Sequence, residues 1–167
     1  IQAEKGVHVS IAIIANPTAG RGRANKVAQQ VAEYLQSRNQ DFELLLTQRP
    51  GEAIELANAA AARHQKVAAL GGDGTIREVV SGIWETSAQL GVIPAGTGND
   101  YARGLGLPLE AIPAIETIMQ GYSVKMDVGL DMDKVFGVVC SVGFPVTVIE
   151  HVNQNRDSKV RGPLAIA

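Results

Sequence analysis

A chain of 167 residues with 46% hydrophobic content can bury one substantial core and the beginning of a second, and is too apolar to be disordered. Its net charge of -2, from 15 basic and 17 acidic residues, supplies no global field toward nucleic acid or an anionic bilayer, so any membrane contact has to be local. The single cysteine, Cys140, excludes an intramolecular disulfide and a cysteine-based zinc site, and no apolar run approaches the ~20 residues that span a bilayer. A cytoplasmic protein is therefore expected. The start has no apolar leader region and no initiator Met, and the chain stops at the apolar Leu164-Ala-Ile-Ala167, which gives the expectation of a fragment.

Val7 to Ile14 is a nearly continuous β-branched run, the pattern of a strand buried on both faces, and it ends in the glycine-bearing loop Asn16-Pro17-Thr18-Ala19-Gly20-Arg21-Gly22. From Ala24 to Arg38 the recurrence of Val27, Val31 and Leu35 predicts an amphipathic helix. Phe42 to Leu46 reads as the second strand, closed by Thr47. Pro50-Gly-Glu-Ala then opens an alanine-rich helix to about Arg63. The third strand, Val67 to Leu70, leads into Gly71-Gly72-Asp73-Gly74-Thr75-Ile76-Arg77-Glu78. A helix follows to Trp84, with Val79, Val80, Ile83 and Trp84 expected on its buried side. Leu90 to Ile93 is the fourth strand, followed by Pro94-Ala-Gly96-Thr97-Gly98-Asn99-Asp100. A helix of about Glu110 to Gln120 carries Pro113 in its first turn and ends at Gly121. From Tyr122 the texture changes to alternation, a hairpin turn at Asp131-Met-Asp133-Lys134 and a β-rich run to Val142.

The strict strand-loop-helix order predicts an α/β domain over residues 1–121, a parallel sheet with helices on both faces, followed by the beginning of a β-rich domain over 122–167. In such sheets ligands bind beyond the carboxyl ends of the strands, where the three glycine loops would meet. Three glycines within four residues at Gly71 to Gly74 let a ligand approach backbone N–H groups, and Thr75 is placed to cap the following helix, whose N-terminus is an anion site. The loop lacks the Gly-Lys-Ser/Thr of a Walker A sequence, and Arg77 stands where a dinucleotide fingerprint needs its third glycine. A carboxylate, Asp73, among phosphate-binding amides repels the phosphate unless a cation lies between them, which implies Mg²⁺.

Together, Asn16-Pro-Thr-Ala-Gly20, Gly71-Gly-Asp-Gly-Thr75 with Glu78, and Gly91-Val-Ile-Pro-Ala-Gly-Thr-Gly-Asn-Asp100 resemble the catalytic domain of the diacylglycerol kinase superfamily, which includes soluble bacterial lipid kinases and sphingosine and ceramide kinases. The likeness runs over about residues 7–144, and the long third motif separates the chain from NAD kinases and phosphofructokinases. It implies a nucleotide-binding NAD kinase/diacylglycerol kinase-like domain with ATP and Mg²⁺ as cofactors. The partner implied is a lipid substrate met at a membrane surface, with transient membrane association, no nucleic acid and a homodimer left open. By that likeness Asn16, Pro17, Thr18, Ala19, Gly20, Thr47, Gly71, Gly72, Asp73, Gly74, Thr75, Ile76, Arg77 and Thr97 contact the nucleotide. Asp73 and Asp100 take part in catalysis through a water-mediated Mg²⁺ network, and Asp127 supports it. Spacing alone reads Thr47 and Asp127 equally as a strand-end polar residue and a turn aspartate.

Two departures from the family pattern stand out. Arg77 replaces a usual Asn, and its guanidinium has three alternatives: nucleotide phosphate, a neighbouring acid, or solvent. Gly143-Phe144-Pro145-Val146 replaces a usual Gly-Phe-Asp-Ala, which alters the expected lipid-side contacts and leaves Glu150 and His151 as a pair better read as solvated surface. Arg21, Arg23 and Lys26 are read in the same way, as a solvated helix start. His8 and His64 are better read as hydrogen-bonded or solvent-facing than as ligands. The family's general base and direct metal ligands lie beyond this stretch, so the 167 residues alone are expected not to turn over. The function classes carried forward are a lipid kinase, an NAD kinase-like ribose kinase, and a non-catalytic nucleotide-binding regulatory module.

Overall fold

The computed structural model describes residues 11–132 and 134–137. Four parallel strands, β1 (Ile11–Ala15), β2 (Phe42–Leu46), β3 (Lys66–Gly71) and β4 (Gln89–Pro94), form one sheet in the order β2-β1-β3-β4. They alternate with α1 (Arg23–Ser37), α2 (Glu52–Ala61) and α3 (Asp73–Ile83); α4 (Asp100–Gly104) and α5 (Ala111–Gln120) follow β4. A two-stranded antiparallel sheet, β5 (Gly129–Asp131) with β6 (Lys134–Phe136), completes the described residues. The chain divides into two compact units, 1–137 and 138–167. His8, Cys140, the Gly143 to Val146 segment, Glu150 and His151 fall outside the described residues.

Side-chain alternation along the central strands divides the interior in two. Ala12 and Ile14 of β1, Val67 and Ala69 of β3 and Val92 of β4 pack with Ala53, Ala57 and Ala60 of α2 and Ile76, Val79, Val80 and Ile83 of α3. Ile11, Ile13, Ala15, Ala68, Leu70 and Ile93 pack on the other face with Ala24, Ala28, Val31 and Leu35 of α1 and Ile115 of α5. Helices thus cover both faces, as the near-continuous apolar strands require. The buried stripe of α1 starts on Ala24 and Ala28, with Val27 at its margin, because small residues let the first turns lie close to the strands.

Small residues also set the spacing of α2 and α3. A Cβ on Gly82 would stand 2.4 Å from the Ile54 carbonyl oxygen and 2.7 Å from the Ala57 Cβ, and Asn58 Nδ2 donates to the Gly82 carbonyl at 3.2 Å. Gly121, at φ 83, terminates α5 as expected. The buried Lys66 donates from Nζ to the Ile118 carbonyl at 2.5 Å, placing a cation at the C-terminus of α5; burial holds its pKa below the ordinary lysine value.

Two expectations are corrected. Trp84 is 41% exposed: α3 ends at Ile83, so the tryptophan sits at the cap, beyond the last turn that faces the sheet. Tyr122 to Val128 forms no strand despite its alternation, since the segment has no pairing partner among the described residues and Tyr122 and Val124 are 88% and 90% exposed. The expected hairpin turn is present at Asp131 and Met132, with Met132 at φ 51.

Edge strand β2 is tied to the end of α2 by Glu43, which accepts from Arg63 Nη2 at 2.9 Å and pairs with His64 Nε2 at 2.6 Å. Arg63 first, then His64, hold the Glu43 carboxyl below the ordinary glutamate range. A depressed folded-state pKa contributes stability that is present above the unfolded value and fades as pH falls through the folded one. Glu43→Gln is therefore expected to lower stability at pH 7 by about 0.2–1 kcal/mol, the range for a part-exposed pair. The difference from the parent should shrink as pH falls below the ordinary glutamate range and vanish once Glu43 is protonated in the folded state, as read from urea midpoints across pH. Gly82→Ala should lower the melting temperature even though alanine is the better helix former, because overpacking against a backbone carbonyl costs about 1–3 kcal/mol.

Candidate functional site

β1 and β3 are neighbours, yet the chain leaves them in opposite directions, toward β2 on one side and β4 on the other. Their loops therefore flank a switch point at the carboxyl edge of the sheet, with the loop after β4 beside them. The first loop is built on Asn16, whose Oδ1 accepts from the Thr18 amide at 3.1 Å and from Thr18 Oγ1 at 2.8 Å, while its own amide donates to the Leu70 carbonyl. Gly20, Arg21 and Gly22 are all left-handed, and a Cβ on Gly20 would lie 2.2 Å from the Ala95 carbonyl oxygen. Every amide from Gly22 to Asn25 donates to a carbonyl within residues 18–22. The N-terminus of α1 is thereby closed to an anion.

The second loop is different. α3 begins at Asp73 behind an extended Gly72 with no side-chain cap, so Thr75 lies inside the first turn and is not the cap expected for it. The Thr75 side chain folds back over Gly71, where a Cβ would meet its Oγ1 at 2.5 Å. Among the described residues, the amides of Asp73, Gly74 and Thr75 have no acceptor. An eleven-residue helix thus presents open N–H groups and the positive end of its dipole. Ile76 is fully buried and its amide donates to the Gly72 carbonyl, so it offers the crevice no free donor.

The loops are locked together. Gly96 approaches Gly72 so closely that a Cβ on it would stand 2.5 Å from the Gly72 Cα. Asn99 closes the third loop on itself, accepting from the Gly96 amide at 2.8 Å and donating to the Gly96 carbonyl at 3.2 Å. Arg23, expected to be solvated, donates from Nη2 to the same carbonyl at 2.7 Å, and Arg103 Nε donates to the Gly98 carbonyl at 3.1 Å. Asp73 spends one carboxylate oxygen on the third loop as well: Oδ1 accepts from the Tyr101 amide at 2.9 Å and caps α4. Its other oxygen has no partner among the described residues. The Tyr101 ring is buried with Ile76 and Val79; its hydroxyl lacks a hydrogen-bond partner among the described residues, and burial raises its pKa.

Of the remaining expected residues, Pro17 and Ala19 are half-buried, and Thr18, Thr97, Arg77 and Asp100 are exposed along these loops. Arg77 has no acidic partner among the described residues, which leaves two of its three alternatives. Thr47 continues the sheet by donating its amide to the Ala15 carbonyl at 2.9 Å and is buried. Asp127 lies exposed in the irregular 122–128 segment. No group of three His, Cys, Asp or Glu is close enough to ligate one metal ion directly among the described residues. A cavity of about 30 Å³ lined by Ile11, Gln40, Lys66, Ile118 and Met119 opens at the opposite end of the strands and shares no residue with the loops. Arg23, Asn99 and Tyr101 join these loops into one site. Local sequence signals only Asn99, as an Asn able to take positive φ in a glycine loop.

The family model "Diacylglycerol kinase catalytic domain" matches residues 10–130. Diacylglycerol kinases of Staphylococcus carnosus and Staphylococcus epidermidis are each 33% identical over 156 residues, which is 92% of this chain and 51% and 49% of theirs. The crystal structure of a diacylglycerol kinase from Bacillus anthracis superposes with a TM-score of 0.69 at 28% identity, over 79% of this chain and 49% of that one. The chain spans about half the length of the relatives it matches. A family match over most of the described residues, on a parallel sheet whose glycine loops converge at one edge, means that the chain belongs to the diacylglycerol kinase catalytic-domain family.

Proposed function

We propose that this chain is the nucleotide-holding part of an ATP- and Mg²⁺-dependent lipid kinase that transfers a phosphoryl group to a lipid hydroxyl. The observation that carries the reading is the open N-terminus of α3, the one helix start among the three glycine loops that follows directly on a strand with free amides and a carboxylate beside them. Amides at Asp73, Gly74 and Thr75 would receive phosphate oxygens, with Arg77 free to add a charge-assisted contact. Phosphate and the Asp73 carboxylate repel each other, and the unpartnered oxygen of Asp73, with exposed Asp100 at the start of α4, suits an ion held through water. Bound Mg²⁺ would supply charge neutralisation between the phosphates. Asp127 fits a supporting role, and the family resemblance puts the general base and direct metal ligands outside these 167 residues.

Phosphoryl transfer asks the protein chiefly to position and to neutralise, and fixed loops of this kind serve both needs. A lipid acceptor is favoured over a ribose because the relatives that match over most of this chain are diacylglycerol kinases. Access to such a substrate requires only transient contact with a bilayer surface, in keeping with the near-neutral net charge.

The test is an ATP-dependent transfer assay of the full-length protein against diacylglycerol, phosphatidylglycerol, sphingosine and NAD, with and without chelator. Transfer to a lipid that is lost on Mg²⁺ removal is expected; transfer to NAD alone, or to none of them, would overturn the reading. Asp73→Asn keeps an oxygen that can accept from the Tyr101 amide, so its thermal stability should match the parent while kcat falls by ~10²-fold or more. Asp73→Ala loses the same activity and also about 1 kcal/mol of stability, because α4 is left uncapped.

A further inference from the structure

A fourth loop reaches the same edge of the sheet, and an acid on α3 ties it to that helix. Residues 47–51 join β2 to α2. Within them Thr47 is fixed by its amide to the Ala15 carbonyl, and the amides of Gln48 and Arg49 both donate to Glu52 Oε2. The remaining anchor comes from outside: Gly51, left-handed at φ 82 and N-terminal cap of α2, donates its amide to Glu78 Oε1 at 3.2 Å. Glu78 lies on α3, four residues after Gly74, and is half-buried.

The bond has a cost that purely local helix capping would not need. Glu52 and Glu55 already occupy the first turn of α2, so Glu78 adds a third carboxylate to that helix end, offset by the helix dipole and by Arg49, which pairs with Glu55 at 2.6 Å. Farther along, α2 and α3 are joined without charge through Gly82 and Asn58. Glu78 instead acts at the end of α3 that carries the open amides.

We propose that Glu78 is a positioning residue for the nucleotide site: it clamps the 47–51 loop to α3, holding the start of α3, and with it the amides of Asp73, Gly74 and Thr75, in place against the sheet edge where Thr47 is fixed. The inference rests on the nucleotide reading above. Loosening the clamp weakens the hold on the phosphate donor and leaves the transfer step largely intact, because Glu78 acts through the Gly51 backbone amide.

The experiment compares Glu78→Ala, Glu78→Asp, Glu78→Gln and Asn58→Ala in the full-length protein, by nucleotide KM and kcat at saturating lipid, direct ATP binding and thermal melting. Glu78→Ala, and Glu78→Asp with its shorter reach, should raise KM and Kd for ATP about five- to tenfold, the scale of one lost hydrogen bond, with kcat within about twofold. Glu78→Gln, whose amide oxygen can accept the same bond, should return KM to within about twofold of the parent. Asn58→Ala should lower the melting temperature without moving KM. An unchanged KM in Glu78→Asp, failure of Gln to rescue, or an equal KM change in Asn58→Ala would each overturn the clamp. If the parent itself neither binds nor uses ATP, the nucleotide reading fails instead, which distinguishes the two.

Discussion

A Cβ on Gly96 would stand 2.5 Å from the Cα of Gly72, and one on Gly20 would stand 2.2 Å from the carbonyl oxygen of Ala95. Backbone therefore meets backbone where the three loops converge, and no residue larger than glycine can occupy those points without displacing a neighbouring strand end. The same approach brings the Gly96 carbonyl within reach of Arg23 and the Asp73 carboxylate within reach of the Tyr101 amide. Each bond joins segments far apart in sequence and is short because the glycines let it be. Interiors and loop junctions packed this tightly do not deform continuously, so the geometry of the open amides is inherited from the glycine contacts beneath them.

Asp73 illustrates how one side chain serves two ends. Its Oδ1 replaces a local cap for α4, which has none of its own, and so builds the third loop. The second oxygen remains for whatever the crevice holds. A carboxylate fixed by one backbone amide keeps its orientation without becoming fully desolvated, and it stands beside the amides that attract anions. Capping α4 is a structural duty that an amide side chain can share. Electrostatic pairing with a cation is not.

The strand-loop-helix order was legible because each strand is a short apolar run that ends in glycine. β2 was readable to the residue, as were the glycine stop of α5 and the turn at Asp131. Contacts between loops were not legible. Arg23 to Gly96, Asp73 to Tyr101 and Glu78 to Gly51 span separations of 73, 28 and 27 residues, and no periodicity encodes a bond between segments that only the sheet order brings together. Sequence alone places Thr75 as a cap because Gly-Asp-Gly has poor helix propensity, whereas the strand before it and the packing of Ile76 force the helix to start at Asp73. The alternation of Tyr122 to Val128 failed for the complementary reason: alternation states which faces a strand would present and does not supply the strand it would pair with.

The loops after β1 and β3 look equivalent in sequence, since both run from an apolar strand through glycine into a helix, and hydrogen bonding separates them. Around Gly20 to Gly22 the left-handed backbone winds the chain into tight turns, and the first amides of α1 are consumed by carbonyls of residues 18–22. Gly72 is extended, its carbonyl accepts from Ile76 and that of Gly71 from Ala95, so the amides of Asp73, Gly74 and Thr75 stay open. An anion entering the crevice is therefore attracted to α3, while the α1 end contributes walls and the Arg23 tether. That asymmetry follows from the φ values of a few glycines. It gives the four-loop edge an electrostatic focus at the start of α3, beside the Asp73 carboxylate that is already held in place.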